Sequence, residues 1–405
     1  MKQLFVFSLI LSLFTACQPH STETGTAASS HIEGIRQQFA PDKRVALWNI
    51  ADTMQQTKVV LKGETNLPLA KKALLAQLTA EAIPYIDSIR VLPDEHLDGQ
   101  LYGLVNVSVA NLRSEDKHWG ELASQAMLGT PLKIMKKVRE GWYYVQSPDG
   151  YLAYLDAGAL VLLNEAEFRR WQNKPKVVYW QDFGFSYLTP DAGSPVVSDL
   201  VMGNLLEKGV NNATHTEVIY PDGRTAFVAN ESIQVMKDWL AEADPSPTAF
   251  LETAKQFMGR PYLWGGTSGK GMDCSGFTKT VFYMHGLILQ RDASQQVHTG
   301  TEIPLDDTFS QLAAGDFLFF GYKATAEKKE KVTHVGIYLG DGQFIHSGDD
   351  NPGIRIQSLK EGTPGFVPHR LAKLLRARRM WATPGENGVE WIKDSEFYTA
   401  ATLDQ

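Results

Sequence analysis

Asp273-Cys274-Ser275-Gly276 sets a thiol directly after a helix-capping carboxylate and before two small residues. Asp is a favoured N-cap, so this spacing predicts a helix that opens at Cys274, runs to about His285 and stops at Gly286. In a first helical turn the unpaired backbone N–H groups and the helix dipole stabilise a thiolate, the nucleophilic form of cysteine. The same amides can bind the oxyanion that forms on an attacked carbonyl, and Ser275 and Gly276 leave room for that carbonyl. Such a nucleophile needs an imidazole to take its proton and return it to a leaving amine.

Ten histidines are available. His20, His31, His96, His118 and His215 lie in polar, loop-like surroundings, and His298 and His369 fall outside regular runs. His285 stands at the far end of the helix that Cys274 begins, about three turns away. His334 and His346 differ, because each interrupts an apolar strand. Val335, Ile337 and Leu339 share one face, which places His334 with Gly336 and Tyr338 on the other. On the next strand Ile345 joins the core face, so His346 points the opposite way with Phe344. Both imidazoles then project from one non-core face of a hairpin. A bare two-residue Asp341-Gly342 turn would put them on opposite faces, so an odd-numbered loop or a Gly-containing bulge is predicted there. His334 is assigned as base and acid, with His346 orienting its ring. A metal site is not expected: no Cys-x-x-Cys or His-x-x-x-His pair accompanies these residues, and no cofactor motif is evident.

The elements that must hold this trio form an α+β unit over 246–384. Ser246-Pro247 starts a helix with the apolar stripe Phe250, Leu251, Ala254, Phe257 and Met258, stopped by Gly259. After the Cys274 helix come strand-like runs at 316–320, 332–339 and 343–347; helices followed by an antiparallel sheet define the layout. Residues 385–405 form a tail without a clear assignment.

Upstream lies an internal repeat. Pro148-Asp149-Gly150-Tyr151-Leu152-Ala153-Tyr154-Leu155 is echoed by Pro221-Asp222-Gly223-Arg224-Thr225-Ala226-Phe227-Val228, and Ala126-Met127-Leu128-Gly129 by Leu200-Val201-Met202-Gly203. Both parts recur at nearly one offset, so 99–167 and 168–243 are one module used twice. Short β-type runs around Pro-Asp-Gly turns predict two small barrels. Residues 31–98 read as a small α+β unit, with a strand at 58–61, a helix at 67–78, and nothing that suggests chemistry.

Of the 405 residues only two are cysteine, and the net charge is -7, which argues against a nucleic-acid partner. Met1-Lys2-Gln3, the apolar run Leu4 to Phe14 and the small residues before Cys17 read as a secretory signal over 1–16, too short to span a membrane. Residues 17–30 read as a flexible tether rich in Ser, Thr, Gly and Ala. With Cys17 acylated or removed, Cys274 is a lone thiol in an oxidising compartment, which marks its reactivity as useful.

Three resemblances sharpen these expectations. Thr15-Ala16-Cys17 resembles the lipobox of bacterial lipoproteins, which implies acylation of Cys17. Because Gln18 is not the acidic residue of inner-membrane retention, a location at the outer membrane facing the periplasm is expected. Asn111-Leu112-Arg113-Ser114 and the repeat pattern resemble bacterial SH3-like domains. Gly259-Arg260-Pro261-Tyr262-Leu263-Trp264-Gly265-Gly266, Asp273-Cys274-Ser275-Gly276-Phe277, Arg291-Asp292-Ala293-Ser294-Gln295-Gln296, Ala314 to Phe320, His334 to Tyr338 and His346-Ser347 resemble, in order, the signature of the NlpC-like cell-wall cysteine peptidases. That resemblance implies a papain-like fold and a Cys274, His334, His346 triad. It further implies cleavage of peptidoglycan stem peptides between γ-linked D-glutamate and a diamino acid. The arrangement with SH3-like domains in front resembles the subset that trims short murein peptides bearing a free N-terminal L-alanine. By that likeness Glu121 and Tyr151 close one end of the cleft, and Tyr262, Trp264, Asp273, Ser275, Asp292 and Ala293 line the pocket. A substrate ammonium needs a carboxylate, which Asp292 or Glu121 can supply. The other readings are a non-catalytic, wall-binding lipoprotein and a related papain-like amidase or acyltransferase.

Overall fold

A computed structural model describes residues 26–349, 353–386 and 388–400. The secretory signal at 1–16, Cys17 and the tether as far as residue 25 lie outside the described residues, as do 401–405. No helix among the described residues is long and apolar enough to cross a membrane.

The N-terminal unit packs helices Ser29–Phe39 and Pro68–Ala80 on a three-stranded sheet, Trp48–Gln55, Lys58–Thr65 and Tyr85–Val91. Its second helix buries Ala70, Leu74 and Leu78, one residue per turn on one face, against Val59, Leu61 and Ile89. The first helix begins at Ser29, inside the segment expected as tether, with Ala28 buried and Ser29 Oγ donating to Asp52 Oδ2 (2.6 Å).

Two seven-stranded sheets follow. The first contains Tyr102–Val105, Val109–Arg113, Leu122–Met127, Pro131–Arg139, Trp142–Gln146, Leu152–Asp156 and Leu160–Leu163. The second contains Lys176–Tyr179, Phe183–Tyr187, Val196–Val201, Leu205–Asn211, His215–Ile219, Thr225–Ala229 and Ile233–Val235. With strands counted from the start of each copy, both have the order seventh, first, fourth, fifth, sixth, second, third. Each also inserts a short 3-10 turn, Ala157–Ala159 or Asn230–Ser232, before its last strand. The sequence repeat is therefore a structural repeat, strand for strand. The copies touch directly, Leu205 N–H donating to Leu128 O (2.9 Å).

In the C-terminal domain the helix Cys274–Met284 packs on a six-stranded antiparallel sheet. The sheet runs in the order Thr301–Ile303, Leu374–Arg379, Phe317–Tyr322, Lys331–Gly340, Gln343–Gly348, Gly353–Ser358. Ser246 caps the preceding helix Pro247–Gln256 by accepting from Ala249 N–H. Val335, Ile337 and Ile345 share a core with Phe277 and Val281 of the Cys274 helix. The opposite sheet face, expected as the non-core face, is covered as well: Leu318, Phe320, Tyr338, Phe344 and Leu359 form a second buried cluster there. The described part of the tail belongs to the fold. Glu390–Trp391 pairs with Leu287–Ile288, and Val389, Ile392, Phe397 and Tyr398 enter the main core.

Candidate active site

Cys274 is the first residue of its helix and Asp273 the N-cap. Asp273 Oδ1 accepts from Gly276 N–H (2.7 Å) and Oδ2 from Gly265 N–H (2.9 Å). Arg291, only 1 % exposed, donates to both oxygens (3.1 and 2.6 Å) and to Ser275 Oγ (3.0 Å). Its Nε donates to Ser124 Oγ of the first barrel (3.1 Å), so one guanidinium ties the cap of the Cys274 helix to the neighbouring domain. The cap, expected to line the pocket, does so with a carboxylate already fully engaged in the protein.

The thiol is buried, and burial pushes it up to about 12. The Asp273 carboxylate adds to that rise; Val335 N–H and Ser275 N–H, which donate to the sulfur, and the Arg291 charge oppose it. Burial thus favours the thiol, where helix position alone favours the thiolate. The reason is a competition: loss of water costs the anion more than two backbone donors return.

His334 and His346 come from adjacent strands and share a face with Tyr338 and Phe344. The register that permits this is a bulge. Ile337 pairs with Ile345 and Tyr338 with Phe344, and then the pairing slips so that Gly340 faces Gln343. Asp341 (φ 49°) and Gly342 (φ 79°) make the two-residue turn, and Gly340 (φ 111°) takes the slip, a conformation that suits glycine. Gly336 makes the room for the second imidazole: a Cβ there would lie 2.9 Å from the Phe344 ring and 3.1 Å from His346 Cβ.

His334 Nε2 meets His346 Nδ1 at 2.9 Å, and His346 Nε2 meets Gln357 Oε1 at 2.7 Å. An amide oxygen only accepts, so His346 carries its proton on Nε2 and offers a lone pair at Nδ1. His334 must then donate from Nε2, which leaves its Nδ1 lone pair as the base. Burial holds His334 well below the ordinary histidine range, with His346 and the positive charges of Arg370 and Arg355 acting the same way. Proton transfer to Nδ1 makes an imidazolium whose Nε2–H already has an acceptor. The strand residue next to His334, Val335, bonds the sulfur, so the imidazole and the thiol are neighbours through the backbone.

Cys274 and His334 line one cavity of about 1090 Å³, while His346 stands behind His334 with no exposed surface. All eight residues expected around the substrate line that cavity. Glu121 and Tyr151 come from the first barrel, and Tyr262 and Trp264 from the segment before the Cys274 helix. Asp273 and Ser275 flank the thiol, and Asp292 and Ala293 begin the short helix Ala293–Gln296. Tyr262 is held there by main-chain bonds on either side, Met272 N–H to Pro261 O and Leu263 N–H to Met272 O (both 3.2 Å). Trp264 is 62 % exposed, so it is not a core residue, and its Nε1–H donates to Glu121 Oε1 (2.7 Å). Asp292 Oδ2 accepts from Arg44 Nη1 (2.9 Å). His285, at the far end of the Cys274 helix, bonds Thr253 Oγ1 (2.9 Å), consistent with its exclusion. Sequence reasoning did not single out Gln357 or Arg44. Gln357 had a usable signal, the alternation Ile354-Arg355-Ile356-Gln357, which places it across from Phe344 on the histidine face. Arg44 had none.

Residues 259–367 match the NlpC/P60 family, and residues 112–160 match the bacterial dipeptidyl-peptidase SH3 domain. The chain is 27 % identical over 265 residues to a gamma-D-glutamyl-L-lysine dipeptidyl-peptidase of Bacillus cereus, covering 62 % of this chain and 76 % of that one. It is 28 % identical over 269 residues to dipeptidyl-peptidase 6 of Lysinibacillus sphaericus, covering 64 % and 93 %. Its fold is similar to the crystal structure of an NlpC/P60 family protein from Bacillus cereus, with a TM-score of 0.58, 24 % identity, and coverage of 69 % of this chain and 99 % of the other. The chain thus carries a papain-like cysteine-peptidase domain of the NlpC/P60 family behind a bacterial dipeptidyl-peptidase SH3 domain.

Proposed function

We propose that this protein hydrolyses the bond between γ-linked D-glutamate and a diamino acid in peptidoglycan stem peptides, acting on short peptides with a free N-terminal L-alanine. Cys274 is the nucleophile. Its proton passes to His334 Nδ1 as the sulfur attacks the γ-carbonyl; the C–N bond then breaks and His334 returns the proton to the leaving amine. Water cleaves the resulting thioester by the reverse use of the same imidazole. His346 holds the ring and shares the imidazolium charge through the Nε2 bond. Tyr262, Trp264, Ser275 and Ala293 shape the pocket, and Asp273 positions the helix start. The mechanism uses no cofactor or metal.

The observation that carries the substrate reading is the two-domain cavity. Glu121 and Tyr151 of the barrel stand in one cavity with Asp292 and Cys274, and the Trp264–Glu121 bond ties the barrel to the catalytic domain. Carboxylates at a closed end suit a free ammonium, which is costly to bury unpaired. Incubation with L-Ala-γ-D-Glu-diamino-acid tripeptide should release L-Ala-γ-D-Glu, and the N-acetylated tripeptide should resist. Equal cleavage of both, or efficient cleavage of intact wall, contradicts the closed pocket.

We further read residues 1–16 as an export signal and Cys17 as a lipid anchor, holding the enzyme at the outer membrane on its periplasmic side. Incorporation of a palmitate analogue that is lost in Cys17→Ser supports the anchor; labelling unchanged by that substitution removes it.

A further inference from the structure

The loop that joins the first helix and first strand of the N-terminal unit reaches the active site. Arg44 Nη1 donates to Asp292 Oδ2 (2.9 Å) and to Ser294 Oγ (2.7 Å), both in the catalytic domain. Its Nε and Nη2 donate to Asp42 Oδ1 and Oδ2 (2.8 Å each), and Asp42 Oδ2 also accepts from Gln295 Nε2 (2.8 Å). On the other side the Arg44 carbonyl accepts from Leu152 N–H of the first barrel (2.7 Å). One short loop is thus pinned to two domains at once. Arg44, Leu47 and Trp48 line the same cavity as Cys274 and Tyr151.

We infer that Arg44 is a specificity-determining residue and that the N-terminal unit completes the substrate cleft. The inference rests on the reading that Asp292 receives the substrate ammonium. An aspartate carboxylate rotates over a broad range of χ2, and a guanidinium bonded to one oxygen removes that freedom. The Asp292 side chain also caps its helix in a box with Gln295, and its Oδ1 lies 3.9 Å from Arg291 Nη1; Arg44 on Oδ2 completes this set, so the ammonium meets a carboxylate already in place. The same loop occupies the space that a peptide extended beyond its N-terminal amine would need. Arg44 therefore favours the free amine in two ways, by fixing its acceptor and by walling off longer substrates. Its role is one of positioning: the bond-making atoms belong to Cys274 and His334.

The test uses the full chain and two peptides, L-Ala-γ-D-Glu-diamino acid and its N-acetyl form, with wild type, Arg44→Ala and Arg44→Lys compared by kcat/KM. Wild type should prefer the free amine. Arg44→Ala should lower that preference by about tenfold or more, mainly through KM for the free-amine peptide, and Arg44→Lys should restore part of it. A preference unchanged in Arg44→Ala overturns the inference. A loss of kcat on both peptides at constant preference also overturns it, since that pattern marks scaffolding alone. Should Arg44→Ala fail to fold, as judged by circular dichroism, the Arg44→Lys preference is read instead, and a wild-type ratio there overturns the inference. A wild type that does not discriminate removes the amine-end reading itself, a result distinct from any change at Arg44.

Discussion

Replacing Gln357 by Ala should slow the enzyme modestly, and in a way that His346 controls. Gln357 is not among the residues that line the Cys274 cavity; its bond to His346 Nε2 (2.7 Å) fixes which ring nitrogen of His346 carries the proton. Losing that neutral hydrogen bond costs about 1 kcal/mol, which in a rate is about fivefold. Losing the His346 ring in His346→Ala is more serious, because the His334 imidazolium formed during turnover then lacks its acceptor at 2.9 Å. A charge-assisted bond is worth about 2–3 kcal/mol, so kcat/KM should fall by about 30- to 160-fold. Since Gln357 acts through His346, the double variant should be no slower than His346→Ala alone. Steady-state kinetics on the tripeptide, with melting temperatures measured beside them, provides the assay. Additive effects in the double variant would refute the relay, as would a Gln357→Ala loss matching that of His334→Ala.

Two further outcomes follow from the buried charges. Arg291→Met leaves the Asp273 carboxylate buried without a cation, held only by two backbone donors and the Ser275 hydroxyl (3.3 Å), a change of about 3–5 kcal/mol against the folded state; its thermal unfolding should drop sharply, and adding Asp273→Asn should recover part of the loss, whereas an Arg291→Met protein as stable as wild type contradicts the account. Alkylation of Cys274 should accelerate by about tenfold per pH unit from neutrality upward, because burial holds the thiol up to about 12; a rate already level from mildly acid pH would reveal a resting thiolate–imidazolium pair instead. His334 has the opposite sign in stability: its folded pKa lies below the unfolded value of about 6.5, so the unfolded chain binds more protons on acidification and stability should fall as pH drops below that value.

The sequence carried the chemistry better than its surroundings. Asp273-Cys274 is a local signal, since a capping carboxylate and its helix lie within a few residues, and the observed helix starts at Cys274. The histidine register was equally legible: alternation assigned the faces, and the conflict between a two-residue turn and a shared face demanded an odd-numbered loop or a Gly-containing bulge, of which the second is found between Tyr338 and Gly340. What covers the histidine face was not legible, because period-two alternation cannot tell solvent from a second core built by Phe320 and Leu359. The same limit explains the thiol. Helix position is readable from sequence, but burial, which reverses the expected pKa direction, is a property of the assembled domains. In the helix Pro68–Ala80 Leu69 is 74 % exposed while Ala70 faces inward, an exchange that residue hydrophobicity alone does not reveal. Arg44 and Asp292 are 248 positions apart, and no local pattern marks such a pair. A unit that looked chemically silent therefore lines the cavity that holds Cys274.

The central claim is a covalent one: a sulfur at a helix start takes up the γ-glutamyl acyl group and passes it to water. Mass spectrometry of the protein, quenched in acid during turnover of the tripeptide, tests it most directly. The account predicts an adduct equal to the L-Ala-γ-D-Glu acyl group, mapped to Cys274, accumulating transiently in wild type and absent in Cys274→Ala, which should also be inactive. An acyl group on another residue, or peptide hydrolysis that persists in Cys274→Ala, would contradict it.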